Sequence, residues 1–195
     1  MGILGRETES VAGLVLAAGA GRRYGGPKAL VRRDGRLLVE RAADTLRAAG
    51  CAPVLVVVGA AADRVRAEAD LGDARVVGNA DWDTGMGSSL RAGLAAAAET
   101  GAVAAAVLLV DMPGITPAAV ERVAAGAAAD TLAMGGYGDR RGHPVVLGRD
   151  HWAGVAALAD GDVGARPYLR RHAHEVTVVP CGDVADDADL DAPGL

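Results

Sequence analysis

The sequence has no phenylalanine, and aromatic residues make up only 3 % of its 195 positions. A core without large rings must close on Leu and Val. Alanine, frequent among the 51 % hydrophobic residues, lets helices lie close to a sheet. Net positive charge is missing as well: the formal charge is −5, which argues against nucleic acid as the main partner. The two cysteines, Cys51 and Cys181, have no CxxC spacing, as expected for buried free thiols in a reducing compartment. Long apolar runs are absent. A stretch such as GAVAAAVLLV is too short to span a bilayer, and MGILGRETES lacks the apolar core of a secretory leader. A cytoplasmic protein that does not engage membranes is expected. No repeat and no linker divides the chain, so residues 1–195 are expected to form one domain, with a flexible N-terminus over 1–10.

What is present is an alternation of two patterns. Short apolar runs without a period of two, at Val11–Ala18, Pro53–Gly59 and Val103–Asp111, suit strands buried on both faces. A shorter strand is expected over Arg75–Gly78. Segments of helical spacing lie between them, over Arg36–Gly50, Ala60–Leu71 and from about Met86. Thr116 followed by Pro117 marks a helix start, with the helix reaching about Ala129. Thr131–Tyr137 and His143–Leu147 are expected to pair around GGYGDRRG. Helices near His151–Leu158 and Val163–His172 and a last strand at Glu175–Pro180 complete the pattern. This implies an α/β protein, a three-layer Rossmann-like domain around a mostly parallel sheet. In such sheets ligands lie off the carboxyl ends of the strands. The Gly19–Lys28 loop and Asp111 both fall there, so the two are expected to share one site.

That loop, VLAAGAGRRYGGPKAL, concentrates glycine and positive charge on an acidic protein; Arg22, Arg23, Lys28, Arg32 and Arg33 cluster within twelve residues. Such a cluster suits a small anionic ligand, and bare backbone suits close approach to phosphate oxygens. A dinucleotide fingerprint GxGxxG fails at Tyr24, although GxGxxxG fits through Gly25, and Glu40 stands where a ribose-binding acid would. That leaves a small NAD(P)-dependent oxidoreductase as an alternative. A Walker A loop fails, because Pro27 separates Gly26 from Lys28 and no hydroxyl follows. A triphosphate loop of another type accounts for the charge: a nucleoside triphosphate carries about four negative charges and calls for cations.

LAAGAGRRYGGPK (Leu16–Lys28) resembles the signature of the MobA-like nucleotidyltransferase family. Further segments agree in family order. NADWDTGMGSSLRAGL (Asn79–Leu94), LLVDMPGITPAAVERV (Leu108–Val123), RGHPVVLGR (Arg141–Arg149), GDVGARPYL (Gly161–Leu169) and the tail DLDAP resemble motifs of its molybdenum cofactor cytidylyltransferase branch. Within the tail, Ala192 departs from the family's usual Thr. The resemblance implies the fold of the nucleotide-diphospho-sugar transferases and transfer of CMP from CTP to a molybdopterin-type terminal phosphate, with release of pyrophosphate. A GTP-using enzyme, or one acting on a sugar or alcohol phosphate, is the alternative within the class. A client molybdoenzyme or its chaperone is an implied partner.

The resemblance also assigns roles. Leu16, Ala17, Ala18, Gly19, Ala20 and Gly21 would hold the nucleotide through backbone groups. Arg22 would bind the leaving pyrophosphate, and Lys28 the α-phosphate. Asn79, Gly85, Met86, Ser88 and Ser89 would line the nucleoside pocket. Asp111 would bind Mg²⁺ with a second carboxylate from the tail, Asp189 in preference to Asp191. His143 and Arg166 would face the acceptor. Asp111 is also the metal candidate on physical grounds, since a carboxylate ending a buried strand needs a partner, and Mg²⁺ takes one or two carboxylates plus phosphate oxygens and water. Trp82 and Trp152 are expected to pack, and His172 and His174 to lie at the surface.

Overall fold

The structure, a computed structural model, describes residues 10–190. The expected flexible N-terminus therefore lies almost wholly outside the described residues, as does Asp191. The strands β1 (Val11–Ala17), β4 (Val54–Val58), β5 (Arg75–Gly78), β6 (Ala104–Leu109), β7 (Leu132–Tyr137), β8 (Arg140–Gly148) and β9 (Thr177–Pro180) form one sheet in the order β5-β4-β1-β6-β8-β7-β9. Only β8 runs against its neighbours; it is antiparallel to both β6 and β7. The architecture is the α/β, mostly parallel one that the alternating pattern predicts. The apolar runs became central strands because helices cover both faces: all five residues of β4 are buried.

Two apolar layers flank the sheet. On one face, α1 (Leu38–Ala48), α2 (Ala62–Glu68) and α4 (Pro117–Ala124) contribute Val39, Leu46, Val65 and Val120. On the other, α3 (Met86–Ala98), α5 (Trp152–Leu158) and α6 (Arg166–Arg171) contribute Leu90, Leu94, Val155 and Leu169. Glycines bring the layers close where rings are lacking. A Cβ at Gly13 would lie 2.9 Å from Leu46 Cβ in α1, and one at Gly93 would lie 2.5 Å from Leu14 Cδ1. Both cysteines are buried and free. Among the described residues no helix is long and apolar enough to cross a membrane.

Several boundaries differ from the expectation. The helix expected from Arg36 begins at Leu38, because β2 (Arg32–Arg33) and β3 (Arg36–Leu37) form a small hairpin before it. Asp34 (φ 52) and Gly35 (φ 80) make its two-residue turn, which the Asp-Gly pair signals. α4 stops at Ala124 rather than near Ala129, since Ala125 turns extended (ψ 121) and Gly126 takes φ 67. Its start is as expected: Thr116 Oγ1 accepts the Ala119 N–H at 3.3 Å, with Pro117 at N1. α2, α6 and β9 are shorter than predicted, and β8 extends back to Arg140.

The packing of Gly93 against Leu14 sets a test. Leu14→Ala removes a fully buried side chain and lowers unfolding free energy by about 2–5 kcal/mol. Gly93→Ala is expected to destabilise the wild-type chain and to be tolerated, or to restore part of the loss, in the Leu14→Ala chain. Urea unfolding of the four proteins measures that coupling.

Candidate active site

β1 and β6 end side by side, and the chain leaving them opens a cavity of about 520 Å³. The loop after β1 curls around Gly21. Its carbonyl accepts the N–H groups of Tyr24, Gly25 and Gly26 at 3.0, 3.0 and 3.1 Å. Gly21 has φ 60, and a Cβ there would lie 1.8 Å from the Gly26 carbonyl oxygen, so only glycine closes this turn. Among the described residues, the N–H groups of Gly19, Ala20, Gly21, Arg22 and Arg23 have no acceptor within the protein. Consecutive unsatisfied amides of this kind form an anion-binding concavity. The exposed Arg22 and Arg23 add charge at its rim.

Lys28, which begins a short 3-10 turn, reaches across to the end of β6. Its Nζ donates to Asp111 Oδ2 at 2.8 Å, and both side chains are only partly exposed, 18 % and 22 %. The second carboxylate oxygen of Asp111 has no partner among the described residues. The Asp111 carbonyl accepts the Leu190 N–H at 2.9 Å, so the tail runs along this strand end with Asp189 one residue away. Among the described residues no three His, Cys, Asp or Glu side chains converge on one point. A cation at Asp111 would therefore take most of its ligands from phosphate oxygens and water, which suits a hard divalent ion.

The opposite wall is the start of α3, and it is interlocked with the turn after α5. Gly85 has φ 115, and a Cβ there would lie 2.4 Å from the Gly161 backbone. The Gly87 N–H donates to the Gly161 carbonyl at 2.8 Å, the Met86 N–H reaches Asp162 Oδ1 at 3.4 Å, and Arg91 donates to the Ala159 carbonyl. The segments GMGSS and GDVGAR are thus two halves of one joint, and their glycines are what allows the backbones to touch. Behind it, buried Asn79 donates to Ser88 Oγ at 2.8 Å and Ser89 Oγ at 3.1 Å. The Ser88 hydroxyl is shared between the carbonyls of Asp81 and Gly85.

A second cavity of about 110 Å³ adjoins the first and shares Leu16, Met86 and Leu109 with it. It is mostly apolar, with Arg141, His143 and Arg166 as its polar groups. Loss of water around the ring pushes the His143 imidazole down to about 4; Asp111 and Asp187 oppose that shift and Arg166 adds to it. His143 is therefore neutral near pH 7, a hydrogen-bonding group rather than a cation.

Of the residues singled out in the sequence, Leu16, Ala18, Gly19, Gly21, Arg22, Lys28, Gly85, Met86, Ser89 and Asp111 meet in the larger cavity, and His143 and Arg166 in the smaller. Ala17, Ala20, Asn79 and Ser88 line neither; Asn79 and Ser88 hold the α3 start in place instead. Arg32 and Arg33, grouped with the basic loop by sequence proximity, lie exposed on the hairpin and line neither cavity. Glu40 is no ribose ligand. Burial pushes its carboxyl toward the neutral acid, but the Asp70 and Leu37 N–H groups and Arg36 outweigh this and hold its pKa below the ordinary value; one carboxylate oxygen closes the α1 start and the other ties α1 to the turn after α2. Trp82 packs against the core as expected and also lines the larger cavity, as do Arg23, Tyr24 and Asp162. His172 is less exposed than expected, stacked on Tyr168 at 4.2 Å.

An amide-lined anion loop, a lysine and a strand-end aspartate under a doubly wound sheet define a nucleotidyltransferase-type site. The chain belongs to the MobA-like NTP transferase domain family, whose sequence profile matches residues 13–176. Nicotine blue oxidoreductase of Paenarthrobacter nicotinovorans is 41 % identical over 189 residues, 93 % of this chain and 92 % of that protein. A probable molybdenum cofactor guanylyltransferase of Opitutus terrae is 40 % identical over 111 residues, 56 % of this chain and 52 % of that protein. Among solved structures, Rv0371c of Mycobacterium tuberculosis H37Rv in complex with manganese matches with a TM-score of 0.76 and 29 % identity, over 92 % of this chain and 93 % of that one.

Two measurements follow from this geometry. Gly85→Ala forces a Cβ into the Gly161 backbone, and a strain of about 1–3 kcal/mol is expected to weaken nucleoside triphosphate binding about tenfold or more in calorimetry. His143 supplies a pH signature. Between about 6.5, its ordinary value, and about 4, the unfolded chain holds a proton that the folded one lacks, so stability falls as pH drops through that window. In His143→Gln, the drop in melting temperature over the same range should be smaller.

Proposed function

We propose that the protein transfers CMP from CTP to the terminal phosphate of molybdopterin, with or without its molybdenum, using Mg²⁺. The observation that carries this reading is the 2.8 Å Lys28–Asp111 contact over the amide-rich loop. It gathers, at one point, the cation, the carboxylate and the backbone donors that a metal-bound triphosphate requires. Bound at Asp111, with the tail's Asp189 as second carboxylate, the cation would neutralise triphosphate oxygens.

An acceptor phosphate oxygen attacks the α-phosphorus, the bond to the β-phosphate's bridging oxygen breaks, and pyrophosphate leaves. The acceptor is mostly dianionic at neutral pH, its second pKa being about 6, so no general base is required. The protein's contribution is charge and alignment. Amides around Gly19–Gly21 hold the β- and γ-phosphates, Arg22 steadies the leaving pyrophosphate, and Lys28 meets the charge that grows at the α-phosphate. Leu16, Gly85, Met86 and Ser89 enclose the nucleoside. The smaller cavity takes the acceptor, whose phosphate Arg166 meets while neutral His143 donates or accepts one hydrogen bond. A molybdoenzyme or its chaperone would receive the product.

GTP as donor is the alternative that the Opitutus relative's name favours. The 41 % identity to a nicotine blue oxidoreductase favours a second reading, a small NAD(P)-dependent oxidoreductase acting on nicotine blue. Glu40 gives that reading no ribose ligand, being committed to α1.

Pyrophosphate release from CTP, GTP, ATP and UTP with molybdopterin and Mg²⁺ tests the first reading, with CTP expected to be fastest. Lys28→Ala and Asp111→Asn should each lower kcat about 10²–10³-fold, with Asp111→Asn also requiring more metal. Oxidation of NADPH or NADH by nicotine blue, measured on the same preparation, would replace this reading if it proceeds while no nucleoside triphosphate is consumed.

A further inference from the structure

The segment after β9 is tied down along its length. The Cys181 N–H donates to the Gly136 carbonyl at 2.9 Å, Thr116 Oγ1 to the Val184 carbonyl at 3.0 Å, the Asp186 N–H to the Gly114 carbonyl at 3.1 Å and the Leu190 N–H to the Asp111 carbonyl at 2.9 Å. It is a strap laid from the β7 edge, past the start of α4, to the strand end that bears Asp111.

Midway, Asp187 turns into the β7–β8 hairpin. Its side chain is 6 % exposed and accepts Arg140 Nη2 at 2.8 Å, while Arg140 itself is 68 % exposed. A Cβ at Gly142 would lie 2.1 Å from Asp187 Oδ2, so the hairpin makes room for this carboxylate by having no side chain there. On the same stretch, the Tyr137 hydroxyl donates to the His143 carbonyl at 2.6 Å. Arg141 and His143, on either side of Gly142, line the smaller cavity.

Burying a carboxylate against one largely solvated guanidinium is poor economy for stability, since an apolar group of similar size serves as well or better. The arrangement instead fixes geometry. Arg140 is paired to the strap that also runs to Asp111, and Gly142 packs against the same Asp187 carboxylate.

We infer that Asp187 is a positioning residue for the acceptor: through Arg140 and Gly142 it sets the backbone that carries Arg141 and His143, and registers the acceptor cavity against the Asp111 end of the site. This rests on the smaller cavity's being the acceptor site. None of Asp187, Arg140 or Gly142 lines the larger cavity, so nucleotide handling should not change with them.

The test uses the full chain and two variants, Asp187→Asn and Arg140→Gln. In each, the acceptor KM should rise about tenfold, as expected for a misplacement below an ångström, with the nucleotide KM and kcat within about twofold. Arg140→Lys should recover most of the loss. Without any substrate, hydrogen exchange of the 137–143 and 184–190 amides should quicken several-fold in Arg140→Gln, with exchange of the β1 and β4 amides unchanged as the sign that the chain is folded. Unchanged acceptor KM in the soluble variants, or nucleotide KM rising in step with it, overturns the inference. If the wild type transfers nothing, the functional reading fails while the latch is still decided by exchange: unaltered rates in Arg140→Gln overturn it, and quickened rates confined to those two segments support it.

Discussion

One ion pair organises this molecule. Lys28 and Asp111 come from segments 83 residues apart and meet at 2.8 Å. Everything that brings them together is backbone: β1 and β6 paired in parallel from Val11↔Ala104 to Leu16↔Leu109, and a loop that doubles back on the Gly21 carbonyl. A carboxylate at a strand end without a partner would cost several kcal/mol, and an ammonium above five unsatisfied amides would add repulsion. Paired, each satisfies the other's charge at the point where the two strands end.

The site's walls are rigid for a different reason. Where an enzyme richer in aromatics would fill space with rings, this chain removes side chains. Gly85, Gly87 and Gly142 each stand where a Cβ would meet backbone or a carboxylate below 3 Å. Contact of backbone with backbone leaves no rotamers to adjust, so the α3 start and the turn after α5 hold their spacing without a large core.

The fold was legible because its signals are local. Apolar runs without alternation, Thr116-Pro117 and Gly50 each act within a few residues. Missing from that reading were elements too short to show a period: the Arg32–Leu37 hairpin, announced by Asp-Gly alone, and the early end of α4 at Gly126. At the site, the meeting of the glycine loop, Lys28 and Asp111 could be read because the loop and the aspartate both leave carboxyl ends of neighbouring strands. Asn79 and Ser88 illustrate the limit. Polar residues beside a pocket in sequence can spend every hydrogen bond on scaffolding, and only coordinates reveal the direction. Trp82 shows the converse, a bulky residue that borders the cavity because Gly59 beside it leaves room; a Cβ there would lie 2.4 Å from Trp82 Cβ. Asp187 had no signal at all, being one acid among many in the stretch 183–191.

Leu16, Met86 and Leu109 belong to both cavities. A party wall of three apolar side chains has no independent faces: a change in one of these three that widens the room on one side narrows or reshapes the room on the other. The two rooms are therefore coupled through these three side chains alone, and the rest of each lining is free to change by itself.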